Sequence, residues 1–147
     1  MPRFGALITA VAMTAAVPLA LPAQAPVYRA RLSVVPIDIP MQATVTGSGS
    51  ATAALKGSAL TITGTFSGLK TPATAARVHR GPRTAMRGPA IGDLTATAAT
   101  SGTISGTLEL TKQQVDDLAA GRLYLQLHSE KAPEGNLWGW LLPETKK

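Results

Sequence analysis

The chain has 147 residues, a formal net charge of +6 and no cysteine. This length suits a single domain with one hydrophobic core. The lack of cysteine excludes disulfides, thiolate metal sites, iron–sulfur clusters and a cysteine nucleophile. Two histidines, two tryptophans, two tyrosines and two phenylalanines leave few side chains for haem, flavin or multi-histidine metal chemistry.

The first 25 residues are predicted to be a cleavable export signal. Arg3 gives a positive start, Phe4 to Leu21 is almost uncharged, and Ala23-Gln24-Ala25 is a small-x-small cleavage pattern. Prolines interrupt the apolar run and a cleavage site ends it, which disfavours a membrane anchor. We therefore expect a single mature domain of residues 26–147 that is periplasmic or secreted and has no transmembrane segment.

The rest of the chain is rich in threonine, serine and glycine, and apolar residues alternate with polar ones in short runs. Alternation of this kind predicts half-buried strands separated by turns. The predicted strands cover residues 28–34, 49–55, 60–66, 76–80, 91–97, 103–110, 122–128 and 136–142. About eight short strands predict an all-β fold, namely an antiparallel, Greek-key-like β-sandwich or flattened barrel.

One short helix is predicted over residues 112–120. Thr111 is a favourable N-cap, and Gln114 three residues later completes a capping box. The apolar positions give the helix one buried edge, and Asp116 and Asp117 are predicted to face water.

Three segments resemble one known family. Residues 76–90 read A-R-V-H-R-G-P and later R-G-P-A, similar to A-H-I-H-x-G-P and x-G-P-V of chordin-type (CHRD) domains. Residues 118–129 resemble that family's L-x-x-G-x-x-Y-V-N-V-H-T, and residues 133–139 stand where it has P-x-G-E-I-R-G. The resemblance spans about residues 28–142. It implies an immunoglobulin-like sandwich related to copper–zinc superoxide dismutase, without defining a ligand.

The sequence departs from the family pattern at three positions. Arg77 replaces the first histidine, Asn136 replaces a glutamate and Trp138 replaces an arginine. The family's three histidines would form a copper-like cluster, and here a permanent positive charge takes one of the three places.

His79 and His128 are the candidate metal ligands. Strand alternation points Val78 and Leu127 inward and both histidines outward, so neighbouring strands would place the two Cβ atoms about 4.5–5.5 Å apart. Three interpretations stay open: a structural hydrogen-bonding pair, weak capture of copper or zinc, and a pH-sensitive contact. Met86 would help to bind a metal if its loop folds back.

Four arginines fall in one Gly- and Pro-rich segment that has no acidic residue: Arg77, Arg80, Arg83 and Arg87. They predict a contact with an anion, such as an acidic partner, a lipid headgroup or a polysaccharide. The alternative is that they are solvated arginines on a loop. Nucleic acid is not expected, because the sequence has no recognition helix or stacking motif.

The last predicted strand carries both tryptophans in one phase. Leu137, Gly139 and Leu141 are predicted to point inward, which places Trp138 and Trp140 side by side on an outer face. Such a pair would serve as a contact surface for a protein partner, a sugar ring or a second copy in a homo-oligomer. The alternative is that a loop or the start of the mature chain covers them.

These observations favour an exported binding module with an unknown protein or polysaccharide partner, no catalytic residues and no cofactor. Acidic and basic residues are scattered and no G-x-S-x-G motif is present, which disfavours hydrolytic chemistry. The alternative function is a periplasmic copper- or zinc-binding protein that uses His79 and His128.

Overall fold

The computed structural model describes residues 24–145. The predicted export signal therefore lies outside the described residues, apart from Gln24 and Ala25. The first strand begins at Val27, directly after the predicted cleavage position.

Each of the eight segments with alternating apolar and polar residues forms a strand, as predicted, and a further short strand follows the last of them. The strands are β1 (Val27–Val34), β2 (Ser48–Lys56), β3 (Ala59–Ser67), β4 (Ala73–Arg80), β5 (Ala90–Ala96), β6 (Gly102–Glu109), β7 (Leu123–Ser129), β8 (Ala132–Trp140) and β9 (Leu142–Pro143). A 3-10 turn spans Pro40–Ala43 and one helix, α1, spans Lys112–Ala119. The predicted last strand therefore ends two residues early, at Trp140, and Leu142 belongs to β9.

Eight of these strands close into an antiparallel barrel in the order β1-β2-β3-β6-β5-β4-β7-β8, and β8 pairs with β1. Two strands turn the corners between two facing sheets. The first part of β1 pairs with β2 and its end pairs with β8, while β5 pairs first with β4 and then with β6. The predicted all-β, antiparallel flattened barrel with one short helix is confirmed.

The core lies between the two sheets and consists of the inward phase of each strand. Leu60, Ile62 and Val78 are fully buried, and so are Leu127 and Leu137. Burying one such side chain contributes about 1.5–3 kcal/mol. The inward phases predicted for β4, β7 and β8 are confirmed, so the register fixes which side chains reach the outer faces.

The helix begins as predicted. The backbone amide of Gln114 donates to Thr111 Oγ1 at 3.2 Å, and the backbone amide of Thr111 donates to Gln114 Oε1 at 2.9 Å. These reciprocal bonds satisfy two amide groups that the first turn leaves without helical partners.

The prediction that Asp117 faces water is wrong, although Asp116 is exposed. The Asp117 side chain is 5% exposed and lies in ion contact with Arg80 at the end of β4 and with Arg122 just before β7. Buried carboxylates require paired charges, and both partners come from other elements. The apolar pattern of α1 alone does not reveal them.

Candidate functional site

Residues 81–89, called here the arginine loop, lie over part of the outer face of β4, β7 and β8, called here the covered face. The loop is fastened at its base: the Arg80 amide donates to the Pro89 carbonyl at 2.9 Å and the Gly81 amide donates to the Arg122 carbonyl at 2.8 Å. At Gly88 any Cβ would overlap the Arg80 carbonyl oxygen. Glycine is therefore required for the two arms of the loop to meet.

Tyr124 fixes the loop to the covered face. Its hydroxyl accepts a hydrogen bond from the Gly88 amide and donates one to the Gly88 carbonyl, both at 3.1 Å. The side chain is 1% exposed and stacks on the His79 ring with centroids 4.9 Å apart. Tyr124 shares the outward phase of His128 on β7, but its bonds to Gly88 of the loop leave it buried.

Both tryptophans lie on the covered face beside Tyr124, in the predicted outward phase. The ring centroids are 4.4 Å apart for Tyr124 and Trp140, 5.9 Å for Tyr124 and Trp138, and 6.0 Å for the two tryptophans. Both tryptophans are half-buried, and a Cβ on Gly81 would touch the Trp140 ring. The alternative in which a loop covers them therefore applies in part, because each ring keeps some exposed area.

The two histidines belong to neighbouring strands, as predicted, but they are not opposite each other. His79 lies opposite Tyr124, and His128 lies opposite Ala75. The predicted direct cross-strand pairing is therefore wrong, because the register of β4 against β7 differs from the one assumed. The ring centroids nevertheless approach to 6.4 Å.

Each histidine is held by a backbone carbonyl. His79 Nδ1 lies 3.0 Å from the Gly88 carbonyl oxygen, and His128 Nδ1 lies 2.8 Å from that of Pro133. The Nε2 atoms of both rings are buried and have no hydrogen-bond partner among residues 24–145. The structure thus brings the two predicted candidate ligands near each other, and the same nitrogen of each ring has no partner within the described part of the chain.

Electrostatics favour the neutral form of His79. Burial lowers the pKa of its imidazole, and the nearby charges of His128, Arg77 and Arg87 lower it further, against the effect of the hydrogen bond to Gly88. A neutral imidazole keeps a lone pair that can act as a ligand.

Met86 is not brought to the histidines. Its side chain is exposed, and its sulfur accepts a hydrogen bond from Arg83 Nε at 2.8 Å. The loop folds back over the face, as the sequence interpretation required, but it does so through Gly88.

The four predicted anion-contact arginines divide into two pairs. Arg77 pairs with Asp93 on β5 at 3.1 Å, and Arg80 is in contact with the buried Asp117. Arg83 and Arg87 are exposed on the arginine loop, and Arg87 Cζ lies 5.4 Å from the centroid of the Trp138 ring. The anion-contact prediction therefore applies best to Arg83 and Arg87.

Sequence reasoning missed a buried polar group at one end of the face. Asn136 shares the outward phase of Trp138 and Trp140, yet it is fully buried: its side-chain amide donates to the Thr46 carbonyl at 2.7 Å and its Oδ1 accepts from Ser129 Oγ at 3.0 Å. Gln126 is buried as well and donates to the Glu134 carbonyl at 2.8 Å. The paired Gly-Pro steps at 81–82 and 88–89 were the available signal for the loop that bonds to Tyr124, and they do not account for Asn136 or Gln126.

Comparison with known proteins gives one match. The family model of the CHRD domain matches residues 29–141, which is most of the chain. Neither the curated proteins nor the solved structures contain a match. No helix within the described part of the chain is long and apolar enough to cross a membrane.

Proposed function

This chain belongs to the CHRD domain family, and we propose that it is an exported binding module without catalytic activity that contacts an acidic polysaccharide. The observation that carries the proposal is the position of Arg87, 5.4 Å above the Trp138 ring. It joins the positive charge of the arginine loop to the indole rings of the covered face. We call Arg83, Arg87, Trp138 and Trp140 the arginine–tryptophan surface.

The chemistry of this surface matches a charged sugar polymer. Exposed guanidinium groups bind carboxylate and sulfate groups through paired, charge-assisted hydrogen bonds. Flat indole rings offer apolar area against which the C–H groups of a sugar ring can pack. Without Arg3 of the predicted signal, 13 basic and 8 acidic side chains leave a net charge of +5, which adds a long-range attraction for any polyanion.

The proposal of export rests on the predicted signal. The first strand starts at Val27, so cleavage after Ala25 would leave every strand intact. Intact mass of the protein from the periplasm or medium tests this, with a mature chain that begins at Pro26 as the expected result. A membrane-bound species that retains residues 1–25 would contradict export.

The proposal of a non-catalytic role rests on how the polar groups are used. Both histidines bond to backbone carbonyls through Nδ1, and the buried Asp117 contacts two arginines. General acid–base or nucleophilic catalysis requires an imidazole within hydrogen-bond reach of a nucleophile or a reacting proton, and neither Nε2 atom has a hydrogen-bond partner among residues 24–145.

Binding to alginate and to a sulfated polysaccharide tests the arginine–tryptophan surface. The variant R83Q/R87Q is compared with R31Q/K56Q, which removes the same charge from exposed positions on β1 and β2. We expect the dissociation constant to rise about tenfold or more in the first variant, equal to about 1.4 kcal/mol, and to change little in the second. Equal weakening in both variants would show that only net charge attracts the polymer.

Binding to neutral dextran and to polyglutamate tests separately the contact with sugar rings and the contact with anionic groups. A charged sugar polymer should bind more tightly than either one at the same salt concentration, because only it offers both sugar rings and anionic groups. If polyglutamate binds as tightly as alginate, the partner is an acidic polypeptide and the polysaccharide proposal fails.

A further inference from the structure

The two histidines of the chain share one protonation pattern. A carbonyl oxygen can only accept a hydrogen bond, so the Nδ1 atoms of His79 and His128 must carry the hydrogen. In a neutral ring the lone pair is then on Nε2. Metal-binding histidines are oriented in the same way, by an N–H donated to a backbone carbonyl.

Both Nε2 atoms are buried without a hydrogen-bond partner among the described residues, and the His128 residue is only 8% exposed. A buried polar atom left without a hydrogen-bond partner destabilises the folded state. Two such atoms on rings with centroids 6.4 Å apart point to one group that would satisfy both.

The rings of His79 and His128 lie closer together than their positions in the strands would suggest. The register places His79 and His128 four positions apart along the β4–β7 ladder, which corresponds to about 13 Å. Their ring centroids are nevertheless only 6.4 Å apart. Two imidazoles that bind one ion through Nε2, with metal–nitrogen distances of about 2 Å, have centroids about 5 Å apart at a tetrahedral angle and about 6.4 Å apart when linear. The observed centroid separation of 6.4 Å matches the larger of these two values.

The surroundings select the ion. Within residues 24–145 no group of three or more histidine and carboxylate side chains could hold a metal ion, whereas zinc requires four ligands and copper(II) a tetragonal set. Copper(I) is satisfied by two nitrogens in line. The neighbouring Arg77 and Arg87 repel a divalent ion about twice as strongly as a monovalent one, and the Tyr124 ring beside His79 helps to keep water out.

We propose that His79 and His128 bind one copper(I) ion between their Nε2 atoms, beneath the arginine loop. This site uses none of the side chains of the arginine–tryptophan surface. The copper and polysaccharide proposals can therefore fail separately.

Anaerobic titration with copper(I), in competition with bicinchoninate, tests the site. The matched variants are H79N and H128N, because the asparagine amide can still donate to the carbonyl of Gly88 or Pro133 but lacks the Nε2 lone pair. We expect one copper per chain in the parent protein and at least 100-fold weaker binding in either variant. M86L should bind as the parent does, and R83Q/R87Q should bind at least as tightly, because it removes the repulsive charge of Arg87. Retention of one copper by both asparagine variants would overturn the proposal.

Two measurements on the unaltered protein keep the test valid if a variant fails to fold. Silver(I), a redox-stable substitute for copper(I), should shift the ¹⁵N resonances of both Nε2 atoms and leave both Nδ1 atoms protonated. X-ray absorption of the copper(I) protein should show two nitrogen ligands in a linear arrangement. Unmoved Nε2 resonances, or a spectrum with sulfur or four ligands, would overturn the proposal.

Discussion

The two outer faces of the barrel have the same alternating sequence pattern but differ in how far their outward side chains are buried. The face of β2, β3 and β6 carries exposed threonines, and Thr61 lies opposite Thr107 with their hydroxyl oxygens 3.3 Å apart. We call this the threonine face. On the covered face the equivalent outward positions hold Tyr124, Gln126 and His128, all buried. Alternation determines which phase points outward, but other segments determine whether that phase meets water. The arginine loop bonds to Tyr124 through Gly88, and the carbonyls of Glu134 and Pro133 in β8 bond to Gln126 and His128.

Truncation of one outward residue on each face should give the largest contrast. Tyr124→Ala removes a fully buried ring together with its two hydrogen bonds to Gly88, and we expect a loss of about 3–5 kcal/mol in the free energy of unfolding. Thr63→Ala changes an exposed side chain on the threonine face and should alter that free energy by no more than about 0.5 kcal/mol. Urea denaturation followed by circular dichroism measures both. Similar losses in the two variants would mean that the loop does not make its face part of the core.

A glycine-to-alanine substitution in the arginine loop and one in the turn between β2 and β3 should give a smaller difference in the free energy of unfolding. Gly88→Ala forces a Cβ onto the Arg80 carbonyl, so the loop must move, at an expected cost of about 1–3 kcal/mol. Gly57, in the turn between β2 and β3, has a φ of +64°, and a Cβ added there would meet no atom within 4 Å. Gly57→Ala should therefore cost only the backbone strain of about 1 kcal/mol.

Tryptophan fluorescence distinguishes the two glycine variants more sharply than stability does. Movement of the loop should expose Trp138 and Trp140, shift the emission to the red and increase quenching by acrylamide in Gly88→Ala. Emission should stay unchanged in Gly57→Ala. Unchanged emission in both variants would show that the loop does not shield the tryptophans.

The sequence was sufficient for features that depend on neighbours in the chain. The inward phase of Val78 and Leu127 and the capping box at Thr111 follow from local spacing, and all three are confirmed. The burial of Asn136 did not follow from local spacing, because its hydrogen-bond acceptor, the Thr46 carbonyl, is 90 residues away in the chain. The prediction that His79 and His128 lie directly opposite each other was wrong for the same reason. Which residues face each other across β4 and β7 depends on the pairing of the whole barrel.

Protonation should give the smallest effect, and it again distinguishes the two faces. Burial and the charges of His128, Arg77 and Arg87 lower the pKa of His79 in the folded state. The unfolded chain, with an ordinary histidine pKa of about 6.5, therefore binds a proton at a higher pH than the folded chain does. The contribution of neutral His79 to stability is complete above about pH 6.5 and is lost as the pH falls toward the lower folded-state pKa.

Urea denaturation of the metal-free protein, in the presence of a chelator, between pH 5 and pH 8 measures this dependence. We expect the free energy of unfolding to fall as the pH drops below about 6.5, and His79→Asn to reduce that slope whatever it does to stability at pH 8. Thr63→Ala should keep the slope of the parent, because it changes no group near His79. A parent-like slope in His79→Asn would mean that protonation on the covered face costs no more than it does in the unfolded chain. The covered face would then be as well hydrated around His79 as the threonine face is.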